Sequence, residues 1–232
     1  MATSSGFQPA TNVSSALTAI AHLPQGAALS LPHFSWEEYE TLQTALGESD
    51  DLRIFYNEGK VVVMSIFSEH EEYADLLQAI IRELTRALGW KLETRGSATL
   101  KQQIRARGAE PDGSCYIQNA ALVIGKRRLD LDTDPPPDLI IEIDLTSESL
   151  NKFPIYAALG IPEIWRYDSG EVFFYQLSAA DEPHYVATAH SVAFPFLPAA
   201  MLTELLNQSN EEGQDAALDA CRIWALAHKP QA

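Results

Sequence analysis

The clearest pattern along the chain is an apolar run that ends in carboxylates. In "PPPDLIIEIDL", residues 135–145, Ile141, Ile143 and Leu145 alternate with Asp138, Ile140, Glu142 and Asp144. A strand has period two, so the first set shares one face and the second set the other. The triple proline stops what precedes it and predicts a strand over 138–145. Upstream, "SWEE" has the Ser35–Glu38 spacing of a capping box and predicts a helix to about Leu46. "LRIFYNEGKVVVMSI" reads as two strands joined at Asn57-Glu58-Gly59. A second capping box, Ser68 to Glu71, opens a helix whose Tyr73, Leu76, Leu77, Ile80, Ile81, Leu84 and Leu88 recur at helical spacing up to Gly89.

Strand-like pieces follow near 91–95, 98–106 and 114–118. Pro154 and Gly160 bracket a short helix that Pro162 cannot continue. "EIWRYDSGEVFFYQL" predicts a hairpin around Asp168-Ser169-Gly170, and 198–208 and 212–228 read as helical. Residues 1–30, rich in Ala, Ser and Thr without periodicity, read as a flexible tail. Residues 31–208 then form the main domain and 209–232 a C-terminal helical extension. The sum is an α/β (α+β) domain with a mixed sheet flanked by helices.

Glu142 and Asp144 raise a chemical question, because two like charges about 7 Å apart on one sheet face repel unless a cation sits between them. Either the strand end delivers them to a metal ion or it has simply emerged into water. "EPDGSCYI" places Asp112 at the start of another apolar run. Beside the 138–145 strand, Asp112 and Glu142 could chelate one Mg²⁺ together with the carbonyl of Ile143. The competing reading is a Pro-Asp-Gly turn. Lys152, just ahead of the next helix, either swings back to the carboxylates or is a solvated lysine.

Composition bounds these readings. The chain has 232 residues and is 46% hydrophobic, enough for a substantial core. No run approaches a membrane span of about 20 apolar residues, and no Lys or Arg precedes Arg53, so a signal peptide is not expected and cytoplasmic residence is. Cys115 and Cys221, far apart, read as free thiols. The net charge of -16 opposes nucleic-acid binding. Its distribution does not: residues 82–128 hold ten basic against four acidic residues, and the remainder carries -22. That basic middle either faces a polyanion or is ordinary surface.

"EPD", then "PPDLIIEI", then "NKFPIYAALGIPEIWRYD" resembles the Uma-type putative restriction endonuclease family of the PD-(D/E)XK nuclease superfamily. The most specific block is Lys152, Tyr156, Gly160, Ile161, Pro162, Glu163 and Trp165; "NEGKVVVMSIFSEH", with Gly59, Met64, Ser65 and His70, also fits. The likeness runs from about residue 33 to 205. It implies a restriction-endonuclease-like core with Asp112 and Glu142 as metal ligands, and a catalytic lysine that has moved from position 144 to Lys152. Asp144 stands where the family is usually apolar, which suggests a third ligand or a role of its own. Phe55 replaces an acid common in the family, and Glu72 on the long helix is a speculative substitute. His70 is either a contact near the active site or a helix-end histidine.

The leading expectation is a Mg²⁺- or Mn²⁺-dependent endonuclease acting on DNA. Asp112 and Glu142 would hold the ion and Lys152 would help generate the nucleophile. Arg95, Lys101, Arg105 and Arg107 would contact phosphates, and a homodimer would suit double-strand cleavage. The alternative is a degenerate member of the fold that binds nucleic acid or a protein partner without cutting; an acidic assembly protein with surface carboxylates ranks behind it. The acidic segment after about residue 205 is expected to cover the basic surface.

Overall fold

The computed structural model describes residues 9–47, 51–66, 68–145 and 152–229. In chain order the elements are α1 (Pro9–Ile20), β1 (Ala28–Pro32), α2 (Trp36–Leu46), β2 (Leu52–Asn57), β3 (Lys60–Ser65) and α3 (Ser68–Leu88). There follow β4 (Glu93–Thr94), β5 (Leu100–Gln102), a 3-10 turn at Gln103–Arg105, β6 (Arg107–Ala109), β7 (Gly113–Tyr116) and α4 (Ala120–Val123). The chain closes with β8 (Leu139–Asp144), α5 (Phe153–Leu159), β9 (Glu163–Asp168), β10 (Glu171–Leu177), β11 (Tyr185–Thr188), α6 (Ala199–Glu212) and α7 (Gln214–His228).

The strands form two sheets, ordered β1-β3-β2-β6-β5 and β11-β10-β9-β8-β7-β4. All pairings are antiparallel except β8–β9, whose parallel crossover carries α5. The first sheet packs one face on α1 and α2 through Val13, Ala16, Trp36, Tyr39, Ile54, Tyr56 and Val61. Its other face meets the second sheet and α5 through Phe55, Val62, Ala109, Ile140, Tyr156 and Ile164. The far face of the second sheet buries Ile141, Ile143 and Trp165 against α3, α6 and α7. β8 is therefore covered on both sides, as a central strand with a parallel neighbour requires. Glu142 is only 4% exposed, so its carboxylate has not escaped into water.

Local signals explain the elements. Ser35 and Glu38 close the capping box at α2. Glu38 also accepts from Asn12 Nδ2 at 3.1 Å, which ties α1 to α2. Ser169 (φ 52°) and Gly170 (φ 92°) make the tight turn between β9 and β10 that right-twisted strands favour. Gly160, at φ 75°, caps α5.

Several expectations change. Residues 9–32 are not a loose tail but a helix and an edge strand, with Ala16 2% exposed; their small residues hid the amphipathic face. The strand expected over 98–106 breaks at Gln103–Arg105, where Ala106 (φ 48°) turns the chain back as β6. The Pro-Asp-Gly stretch is no turn, because Gly113 begins β7 directly. A Cβ on Gly113 would lie 3.1 Å from Ile141 Cδ1 and 3.3 Å from Gln78, so any larger residue there must push these side chains aside by a few tenths of an ångström. The residues after 205 are part of the core rather than an outlying extension: Leu206, Ala217, Cys221 and Ala225 are buried in it. The Ser68 side chain, on which the second capping box rests, and residues 146–151 lie outside what the structure describes. No described helix is long and apolar enough to cross a membrane.

Candidate active site

The seam between the sheets gathers the polar residues. After β6 the chain passes through Glu110-Pro111 from one sheet to the other. Glu110 holds that crossing by accepting from Ile54 N (3.0 Å) and Thr99 Oγ1 (2.9 Å). Gly113 pairs with Ile141, so Asp112, one residue earlier, comes alongside Glu142 on β8. Asp112 Oδ2 accepts from Ile143 N at 2.8 Å, which fixes its side chain. The N–H and C=O of a strand residue point the same way, so the Ile143 carbonyl faces the same edge.

The helix after β8 supplies the other half. Lys152 and Tyr156 are four residues apart across the start of α5, hence on one helical face. Lys152 Nζ lies 2.5 Å from Glu142 Oε2, and the Tyr156 hydroxyl donates to Glu142 Oε1. One helical turn thus grips both oxygens of one carboxylate. The ammonium also sits 5.1 Å from the centroid of the Phe55 ring on β2.

Asp112 is flanked from the other side. Arg53 on β2, 3% exposed, brings Nε to 3.4 Å from Asp112 Oδ1 and ion-pairs with Glu71 in the first turn of α3. His70 Nδ1 lies 3.7 Å from Asp112 Oδ2, too far for a hydrogen bond. It is buried and has no hydrogen-bond partner among the described residues.

These contacts set the electrostatics. Burial raises the Glu142 carboxyl to about 7; the Lys152 ammonium opposes that rise and the Asp112 charge adds to it. Burial also works to raise Asp112, but His70, the Lys152 charge and the Ile143 N–H outweigh it and hold the group below its ordinary value. The two neighbouring carboxyls are thus pushed in opposite directions, one toward the proton and one away from it.

A family model described as "Putative restriction endonuclease", Uma2, matches residues 36–207, about three-quarters of the chain. The chain belongs to the Uma2 family. No curated protein matches it. Among solved structures, "a putative nuclease belonging to DUF820" from Anabaena variabilis is similar at 14% identity with a TM-score of 0.45, covering 78% of this chain and 97% of that one.

In this Uma2 chain, the two acids and the lysine singled out in the sequence converge. His70 lies beside Asp112 rather than at an unrelated helix end. Asp144 is only partly buried and is ion-paired with Arg166 of β9, which also reaches Asp168 at 3.0 Å. Glu72 is exposed, and its neighbour Glu71 is the α3 carboxylate that turns to the site. Three of the four basic residues expected on phosphates are paired within the chain. Arg95 pairs with Glu93 (3.3 Å) and donates to the Val123 carbonyl, Lys101 pairs with Glu40 (3.0 Å), and Arg107 with Glu58 (3.1 Å). Arg105 is exposed on the 3-10 turn.

Sequence reasoning missed Arg53, Glu71 and the grip of Tyr156 on Glu142. Arg53 alternates with Phe55 on the inward face of β2, and Tyr156 is one turn from Lys152; both signals were present in the spacing. Nothing in the sequence distinguishes Glu71 from Glu72, because one residue of helical phase decides which faces the sheet.

Among the described residues, no three His, Cys, Asp or Glu side chains close on one point. The available donors are two carboxylates and a strand carbonyl. That all-oxygen set suits a hard divalent cation that keeps several waters, and the orphaned His70 Nδ1 beside Asp112 would find a partner in such a hydration shell.

Proposed function

We propose that the protein is a divalent-metal-dependent endonuclease that hydrolyses DNA phosphodiester bonds, with Asp112, Glu142 and Lys152 as its catalytic residues. The observation that carries the reading is the grip of Lys152 and Tyr156 on Glu142, with Asp112 alongside on the next strand. Burying two carboxylates and an ammonium in one seam costs several kcal/mol unless they answer each other. Such an arrangement is better explained by chemistry than by stability.

Asp112, Glu142 and the Ile143 carbonyl would hold Mg²⁺ or Mn²⁺. When bound, such an ion supplies Lewis-acid stabilisation of charge developing on a phosphoryl oxygen. The chain's own groups divide the remaining work. Ile143 N–H fixes the Asp112 carboxylate, and the Tyr156 hydroxyl fixes Glu142. Lys152 Nζ orients the attacking water and offsets negative charge at the phosphate. The Phe55 ring and the walls around it limit water beside that ammonium, which strengthens its field.

The test is nicking of supercoiled plasmid with Mg²⁺ or Mn²⁺ by wild type, Asp112→Asn, Glu142→Gln and Lys152→Ala. Metal-dependent cleavage is expected from the wild type alone, with losses of about 10²–10⁴ in the variants. A folded, metal-loaded wild type that leaves plasmid intact would refute it. One observation favours a second reading, a family member that binds without cutting: Arg95, Lys101 and Arg107 are each engaged by a carboxylate of the chain itself. DNA retention on a filter without cleavage would support that reading.

A further inference from the structure

We propose that Arg53 takes the place of a second cation in this site, so that the protein holds one divalent ion rather than two. The inference rests on the metal-dependent reading above and specifies how many ions that site accepts.

Arg53 is buried and bridges two carboxylates from different elements. Its Nε is 3.4 Å from Asp112 Oδ1 at the head of β7, and its terminal nitrogen pairs with Glu71 in the first turn of α3. A further hydrogen bond, 3.0 Å to the Leu52 carbonyl, anchors the guanidinium to its own strand. The guanidinium is permanently charged, and its planar fork suits two carboxylates better than an ammonium would. Asp112 therefore presents Oδ1 to Arg53 and Oδ2 to the Ile143 N–H and His70.

Two-metal sites for phosphoryl chemistry hold ions about 3.5–4 Å apart between shared carboxylates. Around Asp112 the described carboxylates are Glu142 on one flank and Glu71 on the other. Glu142 faces Lys152 and the Ile143 edge; Glu71 is bound to Arg53. A second ion on the Glu71 flank would have to displace a buried guanidinium that already bridges the pair. Without Arg53, the same flank would leave Asp112 and Glu71 facing each other with no cation between them, the electrostatic condition for taking up a hard ion.

The experiment is Mn²⁺ titration of the full chain by calorimetry and electron paramagnetic resonance, read as stoichiometry. One ion is expected for the wild type, two for Arg53→Met, and one again for Arg53→Met/Glu71→Ala. Glu71→Gln alone is expected to keep one ion with affinity within about threefold of wild type, against losses of about tenfold or more for a true ligand or its direct support. Two ions in the wild type, one in a folded Arg53→Met, or a tenfold loss in Glu71→Gln would each overturn the proposal. If Arg53→Met fails to fold, the wild-type count and Glu71→Gln still decide. A wild type that binds no ion defeats the metal-dependent reading as well; a one-ion wild type with an unchanged Arg53→Met defeats this proposal alone.

Discussion

Lys152 and Glu142 form a buried ion pair, 2.5 Å between Nζ and Oε2, closed over by the Phe55 ring. Removing one member of such a pair costs far more than removing both, because the survivor is left charged in a poorly solvated place. Lys152→Met in EDTA should therefore lose about 3–5 kcal/mol. Glu142→Gln/Lys152→Met should regain much of it, since the amide still accepts from Tyr156. Urea denaturation of the four-member cycle reads the coupling, and simple additivity of the two changes would count against a paired role.

Tyr156 makes a narrower prediction. Its hydroxyl donates to Glu142 Oε1 from a fully buried ring, so Tyr156→Phe removes a donor and little volume. Groups that orient a ligand in this way typically carry 10–100-fold in metal affinity, by order of magnitude about tenfold here. Mn²⁺ titration should show that weakening while thermal stability falls by no more than about 1–2 kcal/mol. Unchanged Mn²⁺ affinity would reduce Tyr156 to packing.

Much of this site was legible because period and spacing carry it. The alternation in 138–145 put Ile141 and Ile143 on one face and Glu142 on the other; the first face is the one buried against helices. The step from Lys152 to Tyr156 is one helical turn. What stayed hidden depends on contacts between distant segments. Arg53 and Asp112 meet only because the chain crosses between sheets at Glu110-Pro111, and no local pattern announces that crossing. The N-terminal helix was missed because its buried positions include Ala16, a residue with little hydrophobic signal. Composition likewise counts Arg95, Lys101 and Arg107 only as basic, whereas the fold sets a carboxylate of the chain beside each.

Glu163 shows that a motif residue need not belong to the chemistry. It is fully buried and accepts from Trp165 Nε1 (2.9 Å), Val192 N (3.0 Å), Ala193 N (2.8 Å) and Ser191 Oγ (3.2 Å), which pins the 191–193 loop to β9. Glu163→Ala strands these donors and should cost about 3–5 kcal/mol, with Mn²⁺ affinity retained. Burial nevertheless raises the Glu163 carboxyl above its ordinary 4.5, outweighing the donors that favour the anion. A raised acid stabilises the fold fully below the unfolded value and loses that contribution as pH rises through the folded one. The stability gap between wild type and Glu163→Ala should therefore be widest in acid and narrow from pH 4.5 upward. A gap that widens with pH would show that the anionic network dominates burial.

The last two helices test whether the C-terminal segment is an appendage. Ending the chain after residue 205 removes Leu206, Ala217, Cys221 and Ala225, all buried against the core that Leu77, Ile80 and Leu84 of α3 help to form. With the partly buried Leu218 and Trp224 also removed, at about 1.5–3 kcal/mol for a fully buried large apolar side chain and less for the others, the loss is roughly 5–10 kcal/mol, comparable with the whole stability of a domain. The shortened chain should unfold without a cooperative transition. Its thiol chemistry provides a second reading. In the full protein Cys115 and Cys221 are buried, and burial pushes the Cys221 thiol up to about 12, so neither should react with a disulfide reagent. In the shortened chain Cys115 should react as readily as in urea. A silent Cys115 there, with a sharp melting transition, would show that the core closes without α7.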